Sequence, residues 1–187
     1  PVMALLPILE FPDPRLRTKA VDVDPVELAT PAFQALLDDM FETMYAARGV
    51  GLAAPQIGIG RRLFVVDGES LDKKECKNFK KVFINPVILD ESGKEWEFEE
   101  GCLSVPGVRE FISRKDVVKI KYLDENWVEK TEEYDGMKAR IIQHEYDHIE
   151  GVLFTDKITG FRKRLIQGKL TKISKGNTDA DYRIKVF

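Results

Sequence analysis

Residues 143–151 read Gln143-His144-Glu145-Tyr146-Asp147-His148-Ile149-Glu150-Gly151 and hold both histidines of the chain. The two imidazoles are spaced i and i+4, so on a helix they stand one turn apart on one face, where they can grip one cation. Glu145 lies about 100° further round the helix, offset from that grip yet close enough to reach a metal-bound water. Two neutral imidazoles with a carboxylate above the water form the arrangement of metal-assisted hydrolysis. The five-residue pattern also occurs in unrelated chains, so alone it leaves open a surface helix with idle histidines.

A catalytic site of this kind takes three protein ligands and keeps one open position. With both histidines spent, the third donor is a carboxylate or a thiolate. The metzincin pattern runs on through a glycine to a third histidine. Here it holds as far as Gly151 and then meets Phe154. A glutamate from a later helix, as in thermolysin-like enzymes, is also missing, because residues 157–178 contain no Asp or Glu. The donor therefore lies upstream. Cys102, within Glu100-Gly101-Cys102-Leu103-Ser104-Val105-Pro106-Gly107, is the well-presented soft donor, held by a glycine and a proline turn rather than by strand or helix regularity. The competing reading of a lone cysteine is a buried small hydrophobe. Cys76, in a charged loop over residues 71–81, is expected to have no role.

The elements that must position these residues follow from periodicity. Thr30-Pro31 reads as N-cap and first helical position, and Phe33, Leu36, Leu37, Met40, Phe41, Met44 and Tyr45 form the apolar stripe of a helix that stops near Arg48–Gly49. Residues 49–58, Gly49-Val50-Gly51-Leu52-Ala53-Ala54-Pro55-Gln56-Ile57-Gly58, lack the lysine and hydroxyl of a phosphate loop. They suit a wall that a ligand approaches closely, or else a tight helix-to-strand connection. Strands are expected at 62–66, at 82–89 with Pro86 at an edge or bulge, and at 95–99, after a turn at Glu91–Lys94. A hairpin pairs 117–123 with 127–134, Met137 opens the histidine helix, Gly151 closes it, and a last helix covers 161–174. The expected class is α+β: a central metal-binding helix packed among antiparallel or mixed β-sheets, with an N-terminal and a C-terminal helix.

The chain has 187 residues, 43% of them hydrophobic, and a net charge of −3. That suits one domain over residues 1–187 with a polar tail from about 175, and argues against specific DNA binding. No apolar run approaches the ~20 residues of a membrane span. Two cysteines and no basic stretch before residues 4–6 suit the cytoplasm.

Three stretches in this order and spacing resemble the peptide deformylase signature: Gly49–Gln56, Glu100–Ser104 and Gln143–His148. Phe11-Pro12-Asp13-Pro14-Arg15-Leu16-Arg17, the long first helix and Gly151-Val152-Leu153-Phe154 fit the family too, to about residue 170. The resemblance implies removal of the formyl group from the N-terminal formyl-methionine of newly made chains. It implies one divalent metal on Cys102, His144 and His148, with Fe(II) the physiological ion and zinc, nickel or cobalt as replacements. Glu145 would be the general base, while the Leu103 N–H and the Gln56 amide hold the oxyanion. The peptide would add a strand against the glycine-rich wall at Val50, Gly51 and Gly101. Val50, Phe98, Glu100, Met137, Arg140, Ile141 and His144 would line the methionine pocket, with Arg140 expected to snorkel across its rim. The basic run Arg162-Lys163-Arg164, Lys169 and Lys172 suits a ribosome-facing helix, or else a solvated helix face. A peptidase or amidase acting on unformylated peptides is the alternative within the same chemistry; a closed structural metal site is the alternative outside it.

Overall fold

The Thr30 side chain accepts a hydrogen bond from the Phe33 N–H at 3.3 Å, the expected N-cap of the first long helix. The computed structural model describes residues 4–176, so most of the expected polar tail lies outside the described residues. In chain order the elements are α1 (Pro25–Leu28), α2 (Pro31–Ala46), β1 (Gly51–Ala53), β2 (Leu63–Asp67), β3 (Lys80–Cys102), β4 (Val105–Leu123), β5 (Glu129–Asp135), α3 (Gly136–Ile149) and α4 (Gly160–Ser174). The strands form one five-stranded sheet in the order β1-β2-β3-β4-β5, and every neighbouring pair is antiparallel.

Alternation along β2 divides the core. Phe64 and Val66 join the cluster that includes Met137, Ala139, Ile141, Ile142 and Ile149 of α3. Leu63 and Val65 join the cluster that includes Phe33, Leu37, Met40 and Met44 of α2. A strand buried on both sides thus carries a helix on each face, as its unbroken apolar run requires. The fold is α+β, with the histidine helix at its centre.

Several boundaries differ from expectation. Residues 91–94 do not reverse the chain: β3 continues through them, with an irregularity between Ser92 and Glu95 where Gly93 has φ +81°. The long β4 supplies partners on both sides of that break, so the turn-forming residues are absorbed as a bulge. Pro86 falls in another such irregularity, between Ile84 and Val87. Cys102 is the last residue of β3, paired with Val105 across the two-residue turn Leu103-Ser104, so strand pairing does hold it. At the end of α2 it is Arg48, at φ +58°, that turns left-handed. Gly49 is needed for another reason: a Cβ there would stand 2.8 Å from Leu103 Cδ1.

The extended N-terminal segment works as a strap. Leu9 N–H donates to the Gln56 carbonyl at 2.7 Å, Phe11 N–H to the Ser104 carbonyl at 2.8 Å, and Ala20 N–H to the Ile149 carbonyl at 2.9 Å. Those three acceptors lie in the three stretches that carry the candidate chemistry, so one strand of chain ties them together.

Candidate active site

α3 brings His144 and His148 to one face, and the β3–β4 turn brings Cys102 to meet them. One donor atom from each of the three residues lies within 4.8 Å of the others, and all three residues are buried. Cys102 Sγ is 3.3 Å from His148 Nε2. His144 Nδ1 is engaged by Glu100 Oε1 at 2.8 Å, which leaves Nε2 as its metal-facing nitrogen. Burial first, then the charges of His144 and Arg114, push His148 well below its ordinary pKa, so it is neutral, the form that coordinates metal. Burial and the nearby Glu145 carboxylate push the Cys102 thiol up, against the pull of N–H groups from Ser104 and Val105. A bound cation would reverse that preference. A thiolate with two imidazoles is a donor set that fits a transition-metal ion.

Glu145 is fully buried, and neither carboxylate oxygen has a hydrogen-bond partner among the described residues. Burial, then the Glu100 charge, raises its pKa well above the usual carboxylate range. It packs against β1: a Cβ on Gly51 would lie 2.5 Å from Glu145 Oε1 and 2.7 Å from its Cγ. Gly51 is therefore the residue whose missing side chain makes room for the base.

The Gln56 amide, also fully buried, lies across the site from α3. Its Nε2 donates to Ser104 Oγ at 3.1 Å and points toward Cys102 Sγ at 3.7 Å, while Oε1 accepts from the Ala53 N–H at 2.9 Å. The Val50 carbonyl is taken by the Asp67 N–H at 2.9 Å. Outward and inward groups alternate in an antiparallel ladder, so on the open edge of β1 it is Gly51 that presents its N–H and C=O. The Leu103 side chain is buried in the α2 cluster, which anchors the turn carrying its N–H.

Two of the expected pocket residues, Arg140 and Glu100, are engaged in a buried ion network. Arg140 does not reach across a rim; it is fully buried. Its Nη1 donates to Glu100 Oε2 at 2.8 Å and to the Ile112 carbonyl at 2.7 Å, its Nη2 donates to the Trp96 carbonyl at 2.6 Å, and its guanidinium lies 4.4 Å from the Trp96 ring centre. Snorkelling requires water within reach of the charged end, and here a buried carboxylate offers the nearer partner. Glu100 spends its carboxylate on His144, Arg140 and Arg114; Arg114 donates to it at 2.7 and 3.0 Å and to Asp147 Oδ2 at 2.8 Å. Burial opposes the Glu100 charge, but His144 and Arg114 outweigh it and hold the carboxyl well below its ordinary range. Val50, Met137 and Ile141 belong to one buried cluster, and Phe98 packs against it together with Trp96, which was not among the expected residues.

Arg114, Asp147 and Ser104 were not expected at the site. Alternation held a signal for the first: Arg114 is in phase with the buried Ile112, as Glu100 is with Trp96 and Phe98. That places a guanidinium and a carboxylate on the inner faces of facing strands. The loop over residues 71–81 turns Cys76 inward, into the core cluster that also holds Phe79 and Ile141.

The fold and this geometry define a class: an α+β hydrolase in which an HExxH helix and a strand-end cysteine converge on a candidate metal centre. The chain belongs to the peptide deformylase family. The sequence model of polypeptide deformylase matches residues 5–164. A peptide deformylase of Christiangramia forsetii is 50% identical over 97% of this chain and 95% of its own length. That of Cytophaga hutchinsonii is 51% identical, with 97% of each chain covered. The crystal structure of a peptide deformylase from Legionella pneumophila superposes with a TM-score of 0.79 at 43% identity, over 92% of this chain and 96% of that one.

Proposed function

We propose that this protein hydrolyses the formamide of N-formyl-methionyl peptides to formate and a free amine, with Cys102, His144 and His148 holding one divalent metal ion. The observation that carries the proposal is the convergence of those three donors beside a buried, unpartnered Glu145 in a chain of this family. When bound, the metal is a Lewis acid that activates water and polarises the formyl carbonyl. Glu145 takes the proton of the attacking water and returns it to the departing amine. The Gln56 amide N–H that here faces Cys102 Sγ, its other N–H being held by Ser104, and the backbone N–H of Leu103 hold the developing oxyanion. Gly51, with Gly101 opposite, receives the peptide as an added strand, and the methionine side chain enters between Val50, Phe98, Met137 and Ile141.

Residues 1–187 act as one catalytic domain in this reading. Fe(II) as the physiological ion follows from the family resemblance, and the mixed soft and borderline donor set is compatible with it and with zinc, nickel or cobalt in its place. The exposed basic residues Arg162, Lys163, Arg164, Lys169 and Lys172 of α4 support contact with the ribosome, and hence work in the cytoplasm on chains as they emerge. Formate release from formyl-Met-Ala by protein purified without oxygen tests the activity. Release, with acetyl-Met-Ala left intact, is the expected result. Cleavage of the acetylated or internal amide with no formate release would replace this reading with that of a general amidase.

A further inference from the structure

Arg140 is an arginine with no solvent exposure, one turn before His144 on α3. A buried guanidinium is costly unless its N–H groups find acceptors or its face a ring; the Nε–H of Arg140 has no partner among the described residues, so its terminal nitrogens and its face carry the contacts. Here two main-chain carbonyls, of Ile112 on β4 and Trp96 on β3, accept at 2.7 and 2.6 Å, and Glu100 Oε2 accepts at 2.8 Å. The face of the guanidinium lies 4.4 Å from the Trp96 ring centre and 5.9 Å from that of Phe98. Glu100 in turn holds His144 Nδ1 at 2.8 Å through its other oxygen. One side chain thus touches the aromatic wall beside the peptide pocket and the carboxylate that orients a candidate metal ligand. Arg114 grips the same carboxylate from β4, where it stands opposite Trp96 in the register, and bonds onward to Asp147. The guanidinium that lies over the Trp96 and Phe98 rings is that of Arg140.

We propose that Arg140 is a positioning residue that couples the Trp96–Phe98 wall to the metal-binding His144 through Glu100. The inference rests on the metal-site reading above. Partners that orient a ligating histidine typically change metal affinity by about 10- to 100-fold when removed. Arg114 keeps its two bonds to Glu100, so the effect of Arg140 belongs at the low end.

The test is the rate at which the full-length, zinc-loaded protein surrenders its metal to a chromogenic chelator. Arg140→Met, which keeps the unbranched stem, is expected to release zinc about tenfold faster. Arg140→Lys, which can still donate to Glu100, is expected to lie between Met and the parent. Trp96→Leu leaves the main-chain carbonyl in place and removes the stacked ring; it is expected to speed release several-fold. The double variant Trp96→Leu/Arg140→Met should release no faster than Arg140→Met alone, because the ring acts through the arginine. Release from Arg140→Met at the parent rate, or effects of the two changes that simply multiply, would overturn the coupling. If Arg140→Met does not fold, Trp96→Leu carries the test, and a parent-like rate there overturns the proposal. Cys102→Ser separates the two levels: a variant that keeps its zinc refutes the metal site itself, whereas loss of zinc there with normal retention in Arg140→Met refutes only the coupling.

Discussion

Helices α3 and α4 are nearly the same length, 14 and 15 residues, yet α3 buries ten of its residues and α4 only Ile166 and Ile173. The difference runs against simple hydrophobicity. α3 carries Arg140, Gln143, His144, Glu145 and His148 among its buried residues, while α4 leaves Phe161 72% and Leu165 60% exposed. A polar helix can occupy the centre only if its polar groups find partners there, and α3 finds them on β3 and β4. Its first turn is served from outside as well: Asp135 makes no side-chain cap, and Met137 N–H donates instead to Glu75 Oε2 at 2.8 Å. Among the described residues Arg140 Nε and His148 Nδ1 also lack a partner, but Glu145 is the α3 carboxylate with neither oxygen served, and it is the group assigned to the reacting water.

Perturbing the two helices should give effects of very different size. The largest belongs to Glu145→Gln, which keeps shape and removes the base: turnover should fall by about 10²–10⁴-fold with metal content unchanged by elemental analysis. Retained turnover would remove the distinction between Glu145 and its partnered neighbours. Arg114→Met removes three hydrogen bonds from Glu100 and Asp147, while Arg140 and His144 still engage Glu100, and should cost about 1–3 kcal/mol, read by urea denaturation; no measurable loss would show that α3 needs its polar partners less than the geometry implies.

Cys76 sharpens the contrast at smaller scale, since its loop covers the start of α3. Burial and the nearby Asp72 and Glu75 charges push its thiol up to about 12 from 9.0. With the folded value above the unfolded one, its contribution to stability is complete below pH 9 and declines as pH rises toward 12. The native thiol should resist iodoacetamide at pH 8.5 and react once urea unfolds the chain; rapid native alkylation would mean that the loop does not seal α3. The smallest effect is expected on α4, where Leu165→Ala should change stability by no more than about 0.5 kcal/mol. A loss of several kcal/mol in thermal unfolding would mean that the exposed face of α4 is packed in solution.

Much of the site was legible because its signals are local. His144 and His148 lie one helical turn apart whatever surrounds them, and Glu145 follows from the same geometry. Cys102 emerged by elimination, since Phe154 and the acid-free residues 157–178 exclude downstream donors. Arg140 was misplaced because an arginine beside an expected pocket looks the same in sequence whether its partner is water or Glu100. The turn expected at Glu91–Lys94 failed for a related reason: Gly93 allows a reversal, but only the pairing with β4 decides between a reversal and a bulge.

The sequence by itself determined the three motifs, the periodicity of α2 and α3, the β4–β5 hairpin and the chemistry of the donor set, all set by spacings within one element or by residue type. Tertiary structure alone decided where the charges go. Glu100 meets Arg114 fourteen residues on and Arg140 forty residues on, and Leu9, Phe11 and Ala20 bind the three motifs into one site. Such contacts depend on strand register and burial, which remove water as the competing partner and are properties of the assembled sheet rather than of any stretch of chain.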